Sequence, residues 1–173
     1  MTLPERVLFL DIDGVLNTPK YLGRHGVNGL DPYRVDHLDR IIDATGAGVV
    51  ISSSWRHMTT DRAHSLDEIK SQLTSIGMMK NTIKVFDLTP QIIAWEDGWG
   101  SIDRGWEIDL WMRLRQFHGD YVILDDGLIW PLSMHQVRTD LKMGMTLENA
   151  KEAIAMFEKQ AKARGPKKEE ERP

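Results

Sequence analysis

Short apolar runs recur along the chain, and polar residues follow each of them directly. Three of these runs are typical of strands buried in a parallel sheet, because they are short, continuous and end at polar side chains. They are Val7–Leu10, Gly48–Ile51 and Tyr121–Leu124. A weaker pattern adds two further candidate strands, Ile83–Phe86 and Gln136–Arg138.

Between these runs the apolar residues repeat with helical spacing. One predicted helix has Asp31 as its N-cap, Pro32 at its first position and Gly46 as its end. Three more are predicted from Ser65 to Gly77, from Asp103 onward, and from Thr146 to Gly165-Pro166. The residues expected on their buried faces are Val35, Leu38, Ile41 and Ile42; Leu66, Ile69, Leu73 and Ile76; Trp106, Leu110, Trp111, Leu114 and Phe117; and Leu147, Ala150, Ile154 and Phe157.

The alternation of strands and helices predicts an α/β fold. We expect a doubly wound three-layer sandwich with a mainly parallel central sheet. A chain of 173 residues is the size of one ordinary domain, and we assign residues 1–165 to it. Residues 166–173 are charged and lack apolar side chains, so we predict that they form a disordered tail.

The composition excludes several classes of function. The net charge of -4 gives no overall basic surface for nucleic acid, so such a substrate would need a local patch. The absence of cysteine excludes disulfides, thiolate zinc sites and a cysteine nucleophile. The six histidines show no metal-ligand spacing. No apolar run has the length of a membrane span or a signal peptide, so we expect a cytoplasmic protein with no membrane partner.

The first strand breaks into a glycine turn that carries two carboxylates. Asp11 and Asp13 are separated by one residue and can face one pocket, where one attacks a phosphorus atom and the other serves as acid and base. Gly14 allows the backbone to turn tightly under a bound phosphate. The alternative is a polar turn or part of a calcium loop. A calcium loop needs oxygen ligands further on, where Val15 and Leu16 stand.

A second acidic pair, Asp125-Asp126, follows the strand Tyr121–Leu124. Mg²⁺ binds carboxylate oxygens together with water and phosphate oxygens, so we predict a magnesium site formed by Asp11, Asp13, Asp125 and Asp126. Which residue of the acidic pair binds the metal directly stays open. The alternative is an ordinary acidic loop after a strand.

Several polar residues are candidates to bind the phosphate. Ser52 is the first hydroxyl after the second strand, although serines at that position also cap helices. Arg104 supplies the positive charge that a phosphoryl transition state needs. The remaining candidates are Gly14, Asn17, the backbone of Ser53, and Arg56.

These motifs resemble those of the haloacid dehalogenase (HAD) superfamily of phosphatases. Asp11-x-Asp13-Gly14 resembles the first motif of this superfamily, and Ser52 resembles the second. Arg104 resembles the third motif, with arginine in place of the more usual lysine, and Asp125-Asp126 resembles the fourth. The resemblance implies a HAD-like, Rossmannoid fold and a magnesium-dependent phosphomonoesterase with an aspartyl-phosphate intermediate. The fuller pattern is similar to small domains associated with RNA-repair proteins.

Substrate choice in this superfamily usually depends on an inserted cap. Residues 18–30 and 87–103 are too short for one, so we expect an open site with a minimal cap or none. Polynucleotide ends or nucleotides are then the first candidate substrates, and small phosphorylated metabolites are the alternative. A non-catalytic binding domain is the third hypothesis. Dehalogenation is disfavoured, because a halide leaves without a proton and Asp13 would have no task.

Overall fold

The computed structural model describes residues 2–26, 29–57, 66–77, 84–92 and 104–165. At its centre lies a sheet of five strands, which are β1 (Arg6–Leu10), β2 (Gly48–Ile51), β3 (Val85–Leu88), β4 (Asp120–Asp125) and β5 (Gln136–Arg138). The strand order is β3-β2-β1-β4-β5, and every pairing is parallel. All five predicted strands are confirmed, with the third shifted by two residues toward the C-terminus.

Five helices accompany the sheet in the described part of the chain. They are α1 (Pro19–His25), α2 (Pro32–Thr45), α3 (Leu66–Gly77), α4 (Arg104–Leu114) and α5 (Leu147–Arg164). The predicted caps of α2 are confirmed, since the Asp31 side chain accepts from a backbone N–H at the start and Gly46 ends the helix with a φ of 68°. Thr146 likewise caps α5. The predicted cap residues Ser65 and Asp103 and the tail 166–173 lie outside the described residues.

Helix α1 was not predicted. It begins with the same signal as α2, because the side chain of Thr18 accepts a hydrogen bond from the backbone of Tyr21 and Pro19 occupies the first helical position. The glycines among residues 18–30 obscured that signal.

Helices cover the sheet on both faces. Along β1, Leu8 and Leu10 belong to a core cluster with residues of α2 and α5, whereas Val7 and Phe9 belong to a cluster with residues of α4. Strands buried on both faces require the continuous apolar runs seen in the sequence. The three-layer α/β sandwich is therefore confirmed. None of the described helices combines the length and hydropathy that crossing a membrane would require.

The buried face predicted for α4 is wrong in part. Trp106 and Leu114 are 52% and 68% exposed, whereas Glu107 and Ile108 are buried. Glu107 is charged, which usually indicates an exposed side chain, but it forms an ion pair with the buried Arg56. That pair and Ile108 define a face on which Trp106 and Leu114 cannot also lie.

Candidate active site

Three neighbouring strands end at one edge of the sheet, and the candidate residues follow those ends. The backbone N–H of Asp11 donates to the carbonyl of Leu124 at 2.9 Å, and that of Ser52 donates to the carbonyl of Leu10 at 2.8 Å. The parallel register thus continues one residue beyond the strands. Asp11, Ser52 and Asp125 are brought to the carboxyl edge, where open α/β sheets bind their ligands.

Three carboxylates converge at this edge. Oxygen atoms of Asp11, Asp125 and Asp126 all lie within 4.8 Å of one another. Asp11 and Asp125 are each only 3% exposed. Uncompensated carboxylates are rarely buried together, because burial and mutual repulsion both disfavour their charge. The cluster therefore needs positive charge.

Gly14 makes room for the third carboxylate. A Cβ atom at this position would lie 2.7 Å from Cγ of Asp126, and the backbone φ of +72° is itself unfavourable for other residues. The carbonyl of Gly14 accepts a hydrogen bond from Oγ1 of the buried Thr139 at 2.8 Å. The turn after β1 is therefore fixed against the segments that follow β4 and β5. We had expected Gly14 to make room for the phosphate.

Arg104 supplies positive charge to the cluster. Its Nη1 lies 2.6 Å from Oδ2 of Asp11 and 2.5 Å from Oδ2 of Asp125. Burial acts to lower the pKa of Arg104, but the two carboxylates outweigh it and the pKa is raised. The sequence predicted Arg104 as a phosphate ligand, and the structure places its guanidinium between the nucleophile candidate and a metal-ligand candidate.

The carboxylates keep excess negative charge despite this arginine. Burial raises the pKa of Asp11, with Arg104 acting in the opposite direction. Burial also raises the pKa of Asp125 to about 6, and the neighbouring charge of Asp11 adds to the effect. A site in which anions are disfavoured in this way favours a further cation or a proton.

Asp13 lies outside the three-carboxylate cluster. Its side chain accepts a hydrogen bond from Nε1 of Trp55, 3.1 Å from each oxygen, and another from Nδ2 of Asn17 at 2.9 Å. Two neutral donors thus orient the carboxylate of Asp13, which remains the candidate acid and base. Its predicted contact with the metal stays a prediction.

The hydroxyl of Ser52 is available to a ligand. Ser52 is 1% exposed, and its Oγ has no hydrogen-bond partner within the described part of the protein. A buried hydroxyl without a partner costs free energy, so a bound oxyanion would relieve that cost. The side chain of Ser53, in contrast, already bonds to Asp11.

Arg56 is engaged away from the carboxylates. Its Nε donates to the carbonyl of Ser53 at 2.8 Å, its Nη1 to the carbonyl of Thr89 at 2.7 Å, and its Nη2 to Oε2 of Glu107 at 2.5 Å. Arg56 is 4% exposed, so it ties the ends of β2 and β3 to α4. We had grouped it with the phosphate-binding residues, and we now leave it out of that set.

The sequence did not indicate three of these contacts. The bond from Trp55 to Asp13 joins residues 42 positions apart, and Trp55 by itself fitted ordinary core packing. The partner role of Glu107 was hidden by its charge. Thr139 carried no signal of its own. Contacts between residues far apart in sequence left no periodic signal in any of the three cases.

A cavity of about 290 Å³ adjoins Asp13. The residues around it are Asp13, Gly14, Asn17, Pro19, Leu22, Ser54, Trp55 and Leu141. Helix α1 thus forms one wall beside the site, without building a cap domain. Trp95 and Trp99, which belong to the segment 87–103, lie outside the described residues.

Comparison with known proteins gives one match. A family model described as "HAD domain in Swiss Army Knife RNA repair proteins" matches residues 7–150, from β1 into α5. The matched span contains every carboxylate of the cluster, together with Asp13, Ser52 and Arg104. No curated protein and no solved structure matches the chain.

Proposed function

The chain belongs to the family of HAD domains found in Swiss Army Knife RNA repair proteins, and we propose that it is a magnesium-dependent phosphomonoesterase. The observation that carries this proposal is the convergence of Asp11, Asp125 and Asp126 around Arg104 at the carboxyl edge of the sheet. Such a site binds a cation and an oxyanion together. We propose that the reaction passes through an aspartyl-phosphate on Asp11.

The donor set fits Mg²⁺. Asp11, Asp125 and Asp126 offer hard oxygen ligands within 4.8 Å of one another. Three carboxylates against the one guanidinium of Arg104 leave a surplus of negative charge, and burial raises the pKa values of Asp11 and Asp125. When bound, the metal supplies charge that brings the carboxylates and the phosphate dianion together.

Asp11 is the proposed nucleophile. One of its carboxylate oxygens forms a bond to phosphorus while the bond from phosphorus to the leaving oxygen breaks. Its Oδ1 accepts from the backbone N–H of Ile12 at 2.8 Å, which fixes the orientation of the side chain. Arg104 and the free hydroxyl of Ser52 would donate to the phosphoryl oxygens as their charge develops.

Asp13 is the proposed acid and base. In its protonated form it gives a proton to the leaving oxygen in the first step. In the second step it takes a proton from water, whose oxygen attacks phosphorus and breaks the bond to Asp11. Trp55 and Asn17 hold its carboxylate in place, which keeps the acid beside the cavity where a leaving group fits.

Polynucleotide ends or nucleotides are the proposed substrates. The description of the matched family as RNA-repair domains supports this class. A phosphatase for small metabolites is the second candidate, and it is favoured only by the modest size of the cavity beside Asp13.

Hydrolysis of an aryl phosphate with and without Mg²⁺ tests the activity. We expect turnover that requires added magnesium and is lost in Asp11→Asn. Full turnover in excess chelator would exclude the proposed metal dependence. The absence of turnover on every monoester tested, with magnesium bound, would favour a non-catalytic domain.

A further inference from the structure

The described residues around the cavity beside Asp13 are in large part apolar and carry no positive charge. Pro19 and Leu22 of α1, Trp55 and Leu141 form its apolar part, and we call the whole space the leaving-group cavity. None of the described residues that line it is basic, and Asp13 is the acidic one. Arg104 lies with Asp11 and Asp125 instead.

We propose that this cavity binds the alcohol portion of the phosphomonoester and selects a neutral, hydroxyl-bearing group of nucleoside type over an anionic one. The inference rests on the proposed function, because it takes Asp13 as the acid that protonates the leaving oxygen. The leaving oxygen must then lie beside Asp13, and the rest of the alcohol must lie in the space that Asp13 borders.

Charge argues against an anionic leaving group. Asp13 becomes negatively charged as it gives its proton to the leaving oxygen, and a carboxylate or second phosphate in the cavity would lie near it without a described cation on the wall to shield it. Like charges separated by a few ångströms at a partly solvated site repel each other strongly enough to slow this step roughly tenfold or more. Phosphorylated carboxylic acids are therefore disfavoured.

Asn17 argues for a hydroxyl on the bound group. Its Nδ2 is committed to Asp13, and its Oδ1 is buried with no partner among the described residues. A hydroxyl donor entering the cavity would satisfy that oxygen. The volume of about 290 Å³ lies near the lower limit for small-molecule pockets, which fits a nucleoside whose apolar face rests on Leu22 and Leu141.

Competing substrates test this selectivity. We would measure kcat/KM with Mg²⁺ for adenosine 5′-monophosphate, a 5′-phosphorylated oligonucleotide, phosphoglycolate and an aryl phosphate. The wild type should favour adenosine 5′-monophosphate, whose leaving group is a neutral nucleoside, over phosphoglycolate by about tenfold or more. The ratio of kcat/KM between the nucleotide and the oligonucleotide identifies the source, a free nucleotide or a polynucleotide end.

A charge placed on the cavity wall provides the matched variant. Leu141 lines the cavity and is 48% exposed, so Leu141→Lys should fold and should reduce the preference against phosphoglycolate by roughly five- to tenfold. Met143→Lys adds the same charge at a residue that is 62% exposed and does not line the cavity, and the preference should stay unchanged. If the wild type and Leu141→Lys had the same ratio of kcat/KM for adenosine 5′-monophosphate to kcat/KM for phosphoglycolate, the inference would be overturned.

The two proposals can fail separately. Hydrolysis of the aryl phosphate together with a wild-type preference for phosphoglycolate would leave the phosphatase proposal standing and refute the selective cavity. If no ester is hydrolysed, saturation-transfer NMR with adenosine and with glycolate tests the cavity alone. Binding of adenosine that Leu141→Lys weakens and Met143→Lys does not would support the cavity, and absence of adenosine binding would overturn it.

Discussion

Replacing Trp55 by phenylalanine should separate proton donation from the remainder of the reaction. The change keeps an aromatic ring in the core but removes the indole N–H that lies 3.1 Å from both oxygens of Asp13. A hydrogen bond to a charged group contributes about 1.5–3 kcal/mol. If between half and all of that contribution orients Asp13 in the transition state, the rate falls roughly 4- to 150-fold.

The loss should depend on the leaving group. An alkyl alkoxide needs the proton from Asp13, so we expect the full decrease in kcat for an alkyl phosphate. A nitrophenolate leaves without much assistance, so the first step with nitrophenyl phosphate should slow by less than roughly threefold. Steady-state and burst-phase kinetics on both substrates measure the difference.

Trp111→Phe is the matched control. Trp111 is also buried, and its Nε1 donates to Oδ2 of Asp87 at 2.9 Å, in a cluster with α4 that does not include the site residues. Both variants lose a comparable bond and comparable stability, but only Trp55→Phe should change the ratio of alkyl to aryl rates. An equal loss on both substrates in Trp55→Phe would mean that Trp55 acts through packing alone and would refute the reasoning.

Three further predictions follow from the carboxyl edge of the sheet. Ser52→Ala should reduce kcat by roughly 10²- to 10³-fold while thermal unfolding stays near that of the wild type, because its Oγ has no described partner to lose; wild-type kinetics would exclude Ser52 as a phosphate donor. Gly14→Ala should lower the free energy of unfolding by about 1–3 kcal/mol and weaken magnesium binding, because its Cβ would lie 2.7 Å from Cγ of Asp126. Calorimetry with a metal titration measures both quantities. If stability and magnesium affinity were both unchanged, the close approach of Asp126 to Gly14 would be contradicted. The rise in Tm caused by Mg²⁺ should be small at pH 5 and larger at pH 7.5, because burial raises the pKa of Asp125 from 3.8 to about 6 and the metal binds the deprotonated form. Without metal, the free energy of unfolding should fall as the pH rises from about 4 to about 6, because Asp125 keeps its proton in that range only in the folded state. A rise in Tm with Mg²⁺ that does not depend on pH would contradict the role of the raised pKa of Asp125.

The strands and the carboxylate cluster could be predicted because both follow from short-range patterns. Runs such as Val7–Leu10 are apolar at every position, which indicates burial on both faces of a parallel sheet. Once the strands are parallel, Asp11 and Asp125 must meet at the same edge. The contact of Asp13 with Trp55 could not be found in this way, because Trp55 approaches it from a short 3₁₀ helix, Ser54–His57, 42 residues later.

The errors have physical causes as well. The predicted face of α4 placed the apolar Trp106 and Leu114 in the core, whereas Glu107, a charged residue of a kind that is usually exposed, is buried in their stead. The buried pair of Arg56 and Glu107, 2.5 Å apart, reverses that expectation. Asp13 stands two residues from Asp11 in sequence, but its carboxylate bonds to Trp55 and Asn17 and lies outside the three-carboxylate cluster, so its predicted contact with the metal stays a prediction.

The most direct test of the central claim is to observe phosphate on Asp11. Intact-mass spectrometry after brief mixing with substrate and magnesium should show one added phosphoryl group, and the labelled fraction should be larger in Asp13→Asn, where the second step lacks its base. Asp11→Asn should carry no label. Labelling of Asp11→Asn at the wild-type level would contradict the account, because Asp11 could not then be the nucleophile.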